Sequence, residues 1–239
     1  MLPPDLSLRR RAIVLVHGAW VGDWTWIPVL PLLSASGRPV HNVALTGYGS
    51  RSHVLRPDIT LADHVADVVT LVETFDLVDI TLVGHSYGGR VITDAYEPLA
   101  ERIERMVYID AHAPNAPDTG QTPERVQAAQ ESGGWLPFVG YDPDPAHVGG
   151  PEGVAWFMER TRPQAFRTIL SPMRGTLPEE LAKTYVYCTG YEPSRFTQYA
   201  AAAESAPDWD YRELETDHWP MFSRAETVAE IILDEPTRP

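Results

Sequence analysis

Short apolar runs alternate along the chain with longer amphipathic stretches. Residues 12–16 (Ala-Ile-Val-Leu-Val) carry no polar side chain and read as a strand buried on both faces, ending at His17-Gly18. Residues 40–45, 80–83, 103–109 and 185–188 predict further strands, and residues 211–214 a short last one. Residues 60–75 set Leu61, Val65, Val68, Val69 and Val72 at near-helical spacing behind Thr60, an N-cap with Asp63 three residues on. Residues 23–33 read as a helix with Trp26, Val29, Leu30 and Leu33 apolar, confined or bent by Pro28 and Pro31. Residues 88–99 form another helix, which Pro98 helps to end, and residues 227–233 form a closing one. Strands alternating with helices predict an α/β domain, its mostly parallel sheet covered by helices on both faces. In such a sheet the ligand site lies beyond the carboxyl ends of the strands.

The rhythm breaks between residues 115 and 181. This stretch is rich in proline and glycine, has no clear buried strand, and carries short helical runs at 123–131 and 154–160. Its aromatic residues, Trp135, Phe138, Tyr141, Trp156, Phe157 and Phe166, read as exposed. So long an excursion in a compact domain predicts a helical cap above the strand ends. The expected division is a core first part over 1–114, a cap insertion over 115–181 and a core second part over 182–239. The alternative is an irregular surface excursion whose aromatics pack on themselves.

Composition narrows the function. With 239 residues the chain fits one large domain, and 44% hydrophobic with 22% charged residues is ordinary for a globular protein. A net charge of −14 argues against nucleic acid or an anionic membrane as partner. No apolar stretch reaches membrane-spanning length, and the first residues show no leader with a cleavage site. The one cysteine, Cys188, excludes an intrachain disulfide and reads as a packed core thiol. A cytoplasmic location is the expectation, with a small molecule as partner; composition leaves the oligomeric state open.

The strand at 80–83 runs into Gly84-His85-Ser86-Tyr87-Gly88 and then a helix, which is G-x-S-x-G between strand and helix. Glycines two positions either side of the serine allow a turn too tight for any Cβ, with the hydroxyl pointing off the sheet end. A serine hydroxyl needs a base. Of the eight histidines, His218 fits best, lying between the last strand and the last helix, after the nucleophile in chain order. His17 and His85, each beside a glycine of a site loop, read as structural neighbours. The base needs an orienting carboxylate. Asp110, ending the strand 103–109, is favoured, and Glu192 after the strand 185–188 is the alternative. Asp217 sits beside the base on extended chain and points elsewhere. The Tyr87 and Ala19 N–H groups are the expected oxyanion donors. Trp20, His112, Trp135, Trp156 and Trp219 are candidates for substrate contact. No metal-binding pattern or phosphate loop is present in the sequence, so no cofactor is expected.

Four stretches together resemble the α/β-hydrolase superfamily, and more narrowly the small serine esterases grouped with plant methylesterases and hydroxynitrile lyases. They are Val16-His17-Gly18-Ala19-Trp20, Gly84-His85-Ser86-Tyr87-Gly88-Gly89, Val107-Tyr108-Ile109-Asp110-Ala111 and Asp217-His218-Trp219-Pro220-Met221. The resemblance implies a Ser-His-acid triad, no cofactor, and a small or medium apolar or aromatic ester cleaved through an acyl-enzyme. Members usually place an aspartate after the strand matching 185–188, where this chain has Thr189-Gly190-Tyr191-Glu192-Pro193. Some capped relatives carry the acid one strand earlier, matching Asp110. A lactonase or a tailoring hydrolase of secondary metabolism shares this chemistry. The hydroxynitrile lyases use a cap lysine and a threonine where Gly18 stands; the only lysine here, Lys183, follows the cap. A ligand receptor on the same scaffold is the non-enzymatic alternative.

Overall fold

The computed structural model describes residues 9–117, 122–138 and 141–234. The chain start, read above for a leader, lies largely outside them. Strands β1 (Ile13–Val16), β2 (Val40–Val43), β3 (Ile80–His85), β4 (Ile103–Ile109), β7 (Ala182–Cys188) and β8 (Asp210–Leu214) form one parallel sheet, in the order β2-β1-β3-β4-β7-β8. The side chains of β1 and β3 are buried throughout, the pattern of a strand covered on both faces. Helix α1 (Leu30–Ser34) packs on α10 (Ala225–Leu233), which follows the single turn α9 (Pro220–Ser223), and α2 (Leu61–Thr74) packs on α3 (Gly88–Leu99).

Register decides where the chemistry can sit. Val16 pairs with Gly84, Gly84 with Tyr108, and Tyr108 with Tyr185. The residues just past that row, His17-Gly18-Ala19, Ser86 and Asp110, therefore emerge side by side at the carboxyl edge. The direction of winding changes between β1 and β3, so this edge is also the topological switch point.

Helix α2 starts at the expected cap: Asp63 N–H donates to Thr60 Oγ1 at 3.3 Å and Thr60 N–H to Asp63 Oδ2 at 2.8 Å. The helix expected over 23–33 is instead a 3-10 turn, Asp23–Trp26, followed by the short α1. Pro31 is accommodated in the first turn of α1, where its missing N–H has no helical partner. Helix α8 (Thr197–Ser205), between β7 and β8, lacks a sequence signal because alanines occupy both its faces; it buries Tyr199, Ala200 and Ala203.

Between β4 and β7 the chain forms α4 (Pro123–Glu131), α5 (Pro145–Val148), α6 (Pro151–Arg160), α7 (Arg167–Leu170) and a two-stranded antiparallel pair, β5 (Trp135–Leu136) with β6 (Gln164–Ala165). Its aromatics are less exposed than the sequence suggests. Tyr141, Phe157 and Phe166 are buried, while Trp156 stays exposed with the Arg160 guanidinium over its ring. Trp20 ties the β1 loop to this segment: its backbone N–H donates to Gln164 Oε1 at 3.0 Å and its Nε1–H to the Leu136 carbonyl at 2.9 Å. Among the described residues no helix is long and apolar enough to cross a membrane.

Candidate active site

Ser86 sits between β3 and α3 with φ of 54°. The turn closes because glycine stands where backbone meets backbone: a Cβ on Gly84 would lie 2.8 Å from Gly88 C, and one on Gly88 would lie 2.6 Å from the Val16 carbonyl oxygen. Among the described residues six non-glycine positions have positive φ, and three of them, Trp20, Ser86 and Asp110, end the loops or strands that converge here. Strain concentrated this way marks a site whose geometry the surroundings enforce.

The two peptides carrying the expected oxyanion donors are each pinned by their carbonyl. The Ser86 carbonyl accepts from Gly89 N–H at 3.1 Å and His112 N–H at 3.2 Å. In a trans peptide the N–H points opposite the C=O, so the Tyr87 N–H is aimed the other way. The Gly18 carbonyl accepts from His17 Nδ1–H at 2.8 Å, and this aims the Ala19 N–H. Leu45 N–H donates to His17 Nε2 at 3.2 Å, which fixes the tautomer. Neither the Ala19 nor the Tyr87 N–H meets a backbone acceptor among the described residues. Beneath them, His64 Nε2–H donates to the Thr46 carbonyl at 3.0 Å and His64 Nδ1 accepts from the Tyr87 hydroxyl at 2.9 Å. Burial lowers both His17 and His64 to about 4 and keeps them neutral.

His218 Nδ1–H donates to Asp110 Oδ2 at 2.6 Å, with both side chains buried. His85 Nε2–H holds the His218 carbonyl at 2.8 Å, so the histidine of the serine turn anchors the loop that carries His218 (residues 215–219), the expected base loop. The His218 ring lies parallel to Phe196 at 5.1 Å and against Tyr141 at 4.5 Å. Burial lowers the His218 pKa, favouring the neutral imidazole that can accept a proton. Burial raises that of Asp110, opposed by hydrogen bonds from the Tyr191 hydroxyl at 2.5 Å and the Cys188 N–H at 3.4 Å. Tyr191 carried no sequence signal; it belongs to the loop that holds Glu192. Glu192 itself is exposed and accepts from Ser194 N–H at 3.1 Å, so Asp110 and not Glu192 meets the histidine.

Asp217 points away from the imidazole. Its Oδ2 accepts from Asp144 N–H and His147 Nδ1–H, both at 3.0 Å, and its Oδ1 from Trp219 N–H at 3.0 Å. Trp219 Nε1–H donates to the Tyr141 carbonyl at 2.7 Å. The base loop is thereby fastened to residues 141–147 of the inserted segment.

Ser86, Ala19 and Tyr87 open onto a cavity of about 430 Å³, walled by Trp20, Tyr141, Ile169 and Phe196. His112, Ser194 and Arg195 add polar groups to its wall. Of the residues expected at substrate, Trp20 and His112 line this cavity. Trp135, Trp156 and Trp219 do not. Trp135 belongs to the β5–β6 pair, Trp156 packs edge-on against Trp24 at 5.3 Å, and Trp219 is buried against Phe157 at 4.7 Å. Bulky aromatic type alone does not tell a wall from a packing contact. Cys188 is buried and unpaired, its thiol raised by burial, as a core residue would be.

A profile of the Alpha/beta hydrolase family matches residues 13–231. The chain is 31% identical over 233 residues to the carbendazim hydrolyzing esterase of Nocardioides sp. (strain SG-4G), spanning 91% of this chain and 96% of that one. It is 27% identical over 257 residues to methylesterase 3 of Arabidopsis thaliana, spanning 95% and 96%. In three dimensions it is similar to an extracellular alpha/beta-hydrolase from a Paenibacillus species, described as sharing structural and functional homology with tobacco salicylic acid binding protein 2. That match has a TM-score of 0.76 at 21% identity and covers 93% of this chain and 98% of the other.

Proposed function

The chain belongs to the alpha/beta hydrolase family, and on that premise we propose that it is a serine esterase acting on a small or medium apolar or aromatic ester. The observation that carries this reading is the buried His218–Asp110 pair, 2.6 Å apart, with His218 anchored to the turn that bears Ser86. Similarity to one protein named a carbendazim hydrolyzing esterase and another named a methylesterase supports an ester-like substrate. The aromatic wall formed by Trp20, Tyr141 and Phe196 supports an apolar or aromatic acyl group. The segment between β4 and β7 serves as a cap that excludes water from the reacting atoms.

In this mechanism Ser86 Oγ attacks the ester carbonyl while His218 Nε2 takes the hydroxyl proton. Asp110 stabilises the imidazolium, and the Ala19 and Tyr87 N–H groups receive the oxyanion. Collapse of the tetrahedral intermediate expels the alkoxide, which leaves as alcohol with the proton from His218. Water then attacks the acyl-Ser86 ester by the same route, releasing the acid. Lys183 is buried in an ion pair with Asp208 at 2.8 Å, on β7 rather than in the cavity, which disfavours cyanohydrin cleavage.

A chain-length series of p-nitrophenyl esters tests the proposal, together with labelling by a fluorophosphonate. Hydrolysis and labelling are expected for the wild type and absent for Ser86→Ala. Turnover retained at the wild-type rate by Ser86→Ala removes the mechanism.

A further inference from the structure

Asp110 is fully buried, and its compensation is confined to a few donors. Its Oδ1 accepts from the Cys188 N–H, and its Oδ2 from both His218 Nδ1–H and the Tyr191 hydroxyl. Its ion-pair partner is His218, and that partner carries charge only when protonated. The titratable groups near enough to act on the carboxylate's charge are His85 from β3, Tyr185 and Cys188 from β7, Asp217 beside His218, and Tyr141 from the segment between β4 and β7. A carboxylate so placed keeps its charge through hydrogen bonds rather than through a fixed cation.

Tyr191 is built to supply one. Gly190 N–H donates to the Thr216 carbonyl at 2.9 Å, and a Cβ on Gly190 would lie 2.7 Å from the Thr216 backbone. This contact seats the β7 loop directly on the base loop and brings the Tyr191 hydroxyl to 2.5 Å from Asp110 Oδ2 and 3.4 Å from His218 Nδ1. Ser194 Oγ, on the cavity wall, donates to the Tyr191 oxygen at 3.2 Å, leaving the phenolic proton for the carboxylate. Burial and the neighbouring Asp110 raise the Tyr191 pKa, so its hydroxyl stays a donor throughout the working pH range.

We propose that Tyr191 is a positioning residue of the reaction: its hydroxyl holds Asp110 ionised and aligned so that the carboxylate can orient His218. This rests on the esterase reading above. The phenol touches neither the ester nor Ser86; it acts through Asp110. When His218 takes the Ser86 proton, the imidazolium faces a full carboxylate charge, and the phenol makes that charge tolerable in a dry site. Without the hydroxyl the deprotonated His218–Asp110 pair loses a charge-assisted hydrogen bond, and the pair binds a proton at higher pH.

The test compares wild type, Tyr191→Phe, Asp110→Asn and the double variant in steady-state p-nitrophenyl ester hydrolysis across pH. For Tyr191→Phe, kcat is expected to fall roughly ten- to a hundredfold, the range for a hydrogen bond to a charged group, with KM within about twofold. The acid limb of its kcat/KM profile should move to higher pH. Adding Tyr191→Phe to Asp110→Asn should cost less than it does in the wild type, because the group it serves has lost its charge. Tyr191→Phe with wild-type kcat and an unmoved acid limb overturns the inference. So does a loss that multiplies fully with that of Asp110→Asn, which would mark Tyr191 as structural. The two readings separate through Ser86→Ala: if that variant is inactive while Tyr191→Phe keeps wild-type kcat and an unmoved acid limb, the role of Tyr191 alone falls. If Ser86→Ala keeps wild-type turnover, the esterase reading falls and this one with it.

Discussion

Replacing Gly89 with alanine tests how the serine turn is held. The glycine lies in the first turn of α3, where it faces the loop that follows β4. A Cβ there would sit 2.0 Å from the His112 carbonyl oxygen, 3.0 Å from Ala111 Cβ and 3.1 Å from His112 C. An ordinary non-bonded C···O spacing is roughly 3.3 Å, so helix and loop must part by about 1 Å. The N–H of the same residue, on the preceding peptide, donates to the Ser86 carbonyl, the bond that aims the Tyr87 N–H. Overpacking of this kind costs about 1–3 kcal/mol, and the weakened hydrogen bond about 1 kcal/mol more. For a chain of this size the total lowers Tm by roughly 5–15 °C. A misplacement near 1 Å in the oxyanion geometry lowers kcat on the order of a hundredfold. The assay is thermal unfolding alongside p-nitrophenyl acetate hydrolysis, with fluorophosphonate titration counting competent sites so that unfolding is not mistaken for slow chemistry. If Gly89→Ala keeps kcat within twofold and Tm within about 1 °C of the wild type, the β4 loop does not set the turn and the reasoning fails.

Two further outcomes follow from the buried groups. Asp110→Asn is expected to lose roughly 10³–10⁴-fold in kcat, whereas Glu192→Gln, on an exposed side chain, should stay within about twofold; the reverse ranking in the same ester assay would move the acid to Glu192. Stability should decline on mild acidification, as His17 and His64 are held neutral at about 4 in the folded state against 6.5 when unfolded. Their contribution is complete above pH 6.5 and is lost as pH falls from there toward 4, about 2 kcal/mol for each by pH 5. Urea unfolding at pH 7 and pH 5 checks the sign, and a midpoint that holds or rises at pH 5 contradicts it.

What the sequence disclosed and what it hid differ in physical kind. The strands were legible because continuous aliphatic runs such as Ile13–Val16 have few other uses in a folded chain. Ser86, Asp110 and His218 were legible because each follows directly on a predicted strand or separates one from a helix, so chain order alone locates them at one edge. Tyr191 was not, since nothing local tells a phenol that meets a carboxylate from one that packs. Trp156 and Trp219 misled for the same reason: the sequence records that an aromatic ring is present, and only packing decides what it lies against. Helix α8 hid behind its alanines, which bury and expose equally well.

The fastening of Asp217 and Trp219 to residues 141–147 makes the loop that carries His218 and the roof above it one mechanical unit. Lifting the roof to flood the cavity would drag the histidine loop out of register with Ser86. On the proposed mechanism, uncovering the cavity and displacing the base would then be one event.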